Sequence, residues 1–233
     1  MASDTLTTPG VSPNGWRPTA VEHLITSERL SSYLATTRGD LGQALELYEW
    51  NTHAAGAIVQ TAGLVEVIVR NALDREMIGW ATRRAGGQTW FDSAPLGVRG
   101  SQALADARSR ATQNGRVPEV HGKVIAELSF GFWRVLVASR YHASLWVPAL
   151  HKAFPLGGVD LRQRRVHVER LLREIGDARN RAAHHEPVHE RNLAADLRRV
   201  ITLGSWISHD AEAWIADTTV LSKVITERME LGL

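Results

Sequence analysis

Residues 41–84 read LGQALELYEWNTHAAGAIVQTAGLVEVIVRNALDREMIGWATRR, and the class of the fold turns on them. The stretch holds no proline, the residue that removes a backbone donor and clashes inside a helix. Apolar or small side chains recur at Leu45, Tyr48, Thr52, Ala55, Val59, Ala62, Val65 (with Glu66 beside it), Val69 and Leu73. That step, about 3.5 residues, lays them on one helical stripe. The stretch predicts one long helix, or two joined near Gly56 or Gly63. Its most apolar part, Ala54 to Ala72, is broken by Gln60, Glu66 and Arg70, so no membrane span is expected.

Upstream, residues 1–18 carry Pro9, Gly10, Pro13, Gly15 and Pro18 without periodicity and read as a flexible tail. Ser27 reads as the N-cap of a short helix over about 28–37, stopped near Gly39. Downstream, Gly86-Gly87 is expected to end the long helix, with a loop through Thr89, Pro95 and Gly97. Further helices are expected at about 100–113, from Pro118 to about Glu127, and at about 131–139. Others follow from an Asp160 cap to about His184, and at about 190–207, 209–216 and 219–230. No alternating run of β-branched residues appears. The fold class is therefore all-α, with residues 19–233 forming one domain and no solenoid repeat.

Composition narrows the functions. Among 233 residues, 44% are hydrophobic and 22% charged, which excludes a disordered or fibrous chain. No Cys is present, so disulfide scaffolds, thiolate metal sites and thiol catalysis are excluded, and a reducing cytoplasm is the expected location. The opening Met1-Ala2-Ser3-Asp4 lacks the basic and apolar regions of a secretory signal. Net charge is only +2, but residues 161–200 hold ten Arg against six Asp or Glu. That segment is where a polyanion would bind.

Within it, Val168, Leu172, Ile175 and Ala182 form an apolar stripe, and on a 100° wheel Arg179 falls beside Ile175 and Leu172. A guanidinium there is expected to be buried or half-buried in a salt bridge, with an anionic partner to meet it. Asn180 and His184 are four apart on one helix face, so the amide can orient the imidazole. Arg179 and His184 are five apart and share a site only if the helix ends early or two copies of the chain meet. Pro187 disfavours helix at Glu186 and is expected to end it close to His184. Arginine and histidine suffice to cleave RNA without metal. An imidazole can take the proton of a 2′-hydroxyl or donate to the leaving 5′-oxygen, and a guanidinium holds the charge that grows on the phosphate.

Arg179-Asn180-(three residues)-His184 resembles the R-x4-6-H motif of the HEPN superfamily. The run Arg-Asn-x-x-Ala-His-His-Glu-Pro at 179–187 is similar to the Abi-like (abortive infection) branch of bacterial phage-defence proteins. Leu128-Ser129-Phe130-Gly131-Phe132-Trp133, Tyr48-Glu49-Trp50-Asn51 and the stretch from Glu66 to Arg70-Asn71 extend the resemblance over about residues 45–190. It implies a dimerising helical bundle whose two Arg/His motifs form a metal-independent endoribonuclease that leaves 2′,3′-cyclic phosphate ends. It implies His184 as acid/base, Arg179 as phosphate ligand and Asn180 as orienting residue, acting in phage defence or as a toxin. No cofactor is expected; the partners would be RNA, a second copy, and an inhibitory partner or trigger. Toxins of the superfamily carry Tyr two residues after the His, where this chain has Glu186, so control through that Tyr is not carried over. Some members only bind, which leaves a non-catalytic module for RNA, nucleotide or protein as the second reading.

Other residues carry competing expectations. Glu66 and Arg70 pair at i,i+4, or else Glu66 or Asn71 faces Arg179 and orients it. Phe130, Phe132 and Trp133 read as packing before base stacking. Arg162, Arg164, Arg165, Arg170 and Arg181 form a solvated face or an RNA track. His185-Glu186-Pro187-Val188-His189 has the letters of a zinc-protease motif, but Pro187 breaks the helix that motif needs, so no metal is expected. His185, beside His184, and His189 read as solvated helix-end residues.

Overall fold

The computed structural model describes residues 15–84 and 89–232. Every regular element among them is helical, as expected. They are α1 (Pro18–Ile25), α2 (Ser27–Thr36), α3 (Leu41–Arg84), α4 (Trp90–Ser93), α5 (Val98–Ala111), α6 (His121–Glu127) and α7 (Phe130–Leu136). After short 3-10 and π turns over Ser139–Ala153 come α8 (Leu161–Ala183), α9 (Leu193–Ile207), α10 (His209–Thr218) and α11 (Leu221–Glu230). Most of the expected tail, residues 1–14, and the Gly86-Gly87 stop lie outside the described residues.

Local chemistry corrects several boundaries. Pro18 opens α1 at its first turn, where a missing N–H is harmless, and does not belong to a tail. The cap of α2 is Thr26, whose hydroxyl accepts from the Arg29 amide, and Ser27 is the first helical residue. Pro118 does not start a helix: a left-handed turn at Gln113, Asn114 and Gly115 leads into chain that is still extended at Val120. α6 then begins at His121, whose Nε2 lies 2.9 Å from Oδ1 of Asp74 on α3. The same carboxylate oxygen accepts from Trp90 Nε1 at 2.7 Å, so one buried acid joins three elements.

α3 is one unbroken helix of 44 residues; neither Gly56 nor Gly63 interrupts it. Its length and apolar character would suffice to cross a bilayer, yet Val65, Val69, Leu73 and Met77 are buried among the other helices. It packs against α2, α8, α9 and α11, and it contributes to both hydrophobic clusters. The larger cluster joins its second half, from Ala62 to Ala81, to α5, α7, the 139–154 turns, α8 and α9. The smaller joins its first half to α2, the end of α8 and α11. The expected stripe holds from Ala62 onward. In the first half burial moves to Leu47, Trp50, Ala54 and Ile58, because α2 and α11 cover that side, and Thr52 and Val59 stay exposed.

Two polar side chains of α3 fix what surrounds it. Trp50 Nε1 donates to the Val224 carbonyl on α11 at 2.9 Å, and Asn51 Oδ1 accepts from the Val188 amide at 2.7 Å. Asn51 is buried, so Asn51→Ala leaves an amide without an acceptor and is expected to cost about 1–3 kcal/mol. Hydrogen exchange should accelerate at Val188 before it does in α3. Equal protection there in both proteins would remove the tether.

Candidate active site at the end of α8

α8 starts as expected, with Asp160 Oδ1 accepting from the amides of Arg162 and Gln163 at 2.8 and 3.0 Å. Val168, Leu172, Ile175 and Ala182 are buried, but Arg179 is exposed, contrary to the expected buried guanidinium. The buried positions are 164, 165, 168, 171, 172, 175, 178 and 182, so the covered stripe narrows toward the end of the helix. Ala178 and Ala182 thus take the places facing α3, and Arg179 turns toward solvent.

The helix ends where Pro187 requires. His184 is the C-cap residue, the His185 amide bonds the Ala182 carbonyl at 3.1 Å, and the Glu186 amide bonds the Arg181 carbonyl at 2.9 Å. These two bonds are a Schellman cap, whose left-handed position usually holds glycine. Here it holds His185 at φ 57°. The His185 carbonyl accepts from the Arg29 guanidinium. His184 itself is exposed, and its imidazole has no hydrogen-bond or ion-pair partner among the described residues.

A cavity of about 320 Å³ opens beside this end. Its lining brings together Glu66 of α3, Ser129, Phe130 and Gly131 at the start of α7, and Arg179 and Asn180 of α8. Glu66 is half-buried; burial pushes its carboxyl above the ordinary range, while the Arg179 and Arg70 guanidinium groups pull it back. So Glu66 faces Arg179, but the expected Glu66–Arg70 pair does not form within 4 Å: Arg70 Nε donates to Asn71 Oδ1 at 3.4 Å. Asn71 does not line the cavity. Asn180 does not orient His184 either; its Oδ1 accepts from Arg179 Nη1 at 3.3 Å. The imidazole of His184 lines neither this cavity nor the neighbouring groove of about 440 Å³, where His185 meets Tyr48, Ala55 and Val59 of α3.

The sequence reading missed Arg134 and Arg173, which line the cavity, and Arg29, which ties the loop after α8 to α2. Nothing local marks them; Arg134 does sit within one turn of the quoted Ser129–Trp133 stretch. The five arginines do not share one face. Arg164 and Arg165 are buried, donating to the carbonyls of Gly158 and Phe154 and of Val137, and Arg165 pairs with Glu169 at 2.5 Å. They hold the 139–158 region, while Arg162, Arg170 and Arg181 stay exposed, Arg181 3.4 Å from Glu186.

His189 is buried, a correction to the expected solvated residue; its ring lies tilted against Tyr33 with 4.5 Å between ring centres, and Nε2 lies 3.4 Å from the Thr36 hydroxyl. Burial and the Arg228 guanidinium hold its pKa below the ordinary 6.5, with Glu190 opposing, and burial pushes the Tyr33 phenol up to about 12. The folded protein therefore binds fewer protons at His189 than the unfolded chain. This contribution is present above pH 6.5 and is lost as pH falls through that value toward the depressed folded one. Chemical denaturation between pH 7.5 and about 5.5 should show stability falling with acid, less steeply in His189→Gln. Parallel curves would exclude His189 as the source.

No group of three or more His, Asp or Glu able to hold a metal forms among the described residues. Compared with protein-family models, with curated proteins and with solved structures, the chain matches none.

Proposed function

We propose that this protein is a metal-independent endoribonuclease, similar to the Abi-like branch of the HEPN superfamily. What carries the reading is a convergence: three stretches distant in sequence, at Glu66, at Ser129–Gly131 and at Arg179-Asn180, line one cavity. In this reading Arg179 binds the scissile phosphate and the charge that grows on it. His184 takes the proton of the 2′-hydroxyl, whose oxygen attacks phosphorus, and a proton passes to the departing 5′-oxygen. The products are a 2′,3′-cyclic phosphate and a 5′-hydroxyl. Arg179 and His184 would act across a homodimer. The exposed Val59 and Val67, with open space around Gly56 and Gly63, give α3 an uncovered apolar face beside the motif. A cytoplasmic role in phage defence or as a toxin follows the same resemblance.

A second reading, a binding module without turnover, is favoured by one observation: His184 does not line the cavity that holds Arg179. The deciding experiment is cleavage of labelled RNA by purified protein in EDTA, beside an all-deoxy strand of the same sequence. Cleavage of RNA alone, with cyclic-phosphate ends, supports the enzyme. RNA bound but left intact by a folded dimer supports the module.

A further inference from the structure

Three arginines line the cavity beside the end of α8: Arg134 from α7, and Arg173 and Arg179 from α8. None of them makes an ion pair within 4 Å among the described residues. The arginines at 108, 110, 165, 191 and 199 meet carboxylates at 2.5–2.9 Å, while exposed ones such as Arg99 and Arg162 do not; what sets these three apart is that they line one cavity. Guanidinium groups that converge on a concavity without a direct carboxylate contact keep their donors open to an anion from outside. Arg173 and Arg179 are six residues apart on one helix, an axial offset of about 9 Å.

The cavity also holds Glu66 and Asp177, and Phe130 gives it an aromatic wall, its ring 3.4 Å from where a Cβ on Gly176 would stand. Carboxylates have no use for a bare phosphate but accept from the amino group of a base. The chemistry of the lining is therefore that of a nucleotide within a strand.

We propose that this cavity is a nucleotide subsite of the RNA strand, in which Arg134 and Arg173 hold the phosphate next to the scissile one. The inference rests on the ribonuclease reading for the identity of the strand, but its test does not depend on turnover. The probe is a 2′-O-methyl RNA strand, which has no attacking hydroxyl, and binding is followed by fluorescence anisotropy between 50 and 200 mM salt. Arg173→Ala is expected to weaken binding several-fold and to make the log–log salt slope shallower by about 0.7, the value for one phosphate contact on a single strand. Arg99→Ala, the same charge change on an exposed residue of α5, is expected to leave both close to wild type.

Arg134→Ala should resemble Arg173→Ala, and the double variant should lose more than either. Equal effects of Arg173→Ala and Arg99→Ala, or an unchanged slope, would overturn the subsite. Displacement of the strand by a free mononucleotide at equal concentration would overturn the strand in favour of a small ligand. If wild type cleaves RNA while Arg173→Ala binds and cleaves normally, the ribonuclease stands and the subsite falls. If no RNA is cleaved yet Arg173→Ala loses strand binding, the subsite stands and the ribonuclease falls.

Discussion

In His184→Ala, RNA cleavage in EDTA is expected to fall by about 10²–10⁴-fold, with melting temperature and strand affinity close to wild type. The separation of effects follows from where the side chain sits. His184 caps α8 through its backbone, and its imidazole is exposed, so removing it breaks no hydrogen bond or ion pair among the described residues. The loss should appear in kcat, since proton transfer belongs to the transition state and not to the bound strand. Arg179→Ala should instead lower both binding and turnover, and Arg179→Lys should restore charge without the two-pronged geometry. Unchanged cleavage in His184→Ala would remove that residue from the chemistry; a dimer that falls apart would make its role structural.

The largest loss of stability is expected in Trp133→Ala, at about 3–5 kcal/mol. Trp133 is fully buried in the larger cluster, with Trp90 at 6.1 Å and Phe132 at 5.4 Å between ring centres. Its indole N–H has no acceptor among the described residues. Trp133→Phe deletes that orphaned donor along with some volume, and relief of an unsatisfied N–H offsets part of the cavity cost. The phenylalanine variant should therefore lie well nearer wild type than the alanine one in denaturant midpoint. Equal losses would mean that the N–H is satisfied by water. Because Trp133 follows Gly131 by two residues, the alanine variant should also weaken strand binding before it unfolds.

The long helix, the Asp160 cap and the stop before Pro187 were all legible, since each depends on a local rule: no breaker, a side-chain cap, a ring that excludes helix. The face of Arg179 was not. An ideal wheel places it beside Leu172 and Ile175, but over the last turns of α8 the covered stripe narrows to Ala178 and Ala182 against the first half of α3, a partner many residues away in sequence. Asn180 lay within reach of His184 by spacing, yet the nearer Arg179 takes its oxygen. Arg164 and Arg165 look like surface charge in any window; the carbonyls that bury them come from the 137–158 region and carry no sequence signal. His189 was missed for the same reason, since Tyr33 lies on α2.

The unbroken α3 has a hydrodynamic consequence. Forty-four residues at about 1.5 Å each make a rod of about 66 Å. A sphere with the radius of gyration expected for this length, about 17 Å, would be only about 45 Å across. A protomer that contains such a rod is longer in one direction than that sphere and is expected to diffuse slightly more slowly than a sphere of its mass. Counting protomers in solution therefore calls for light scattering or native mass spectrometry, which weigh the particle whatever its shape.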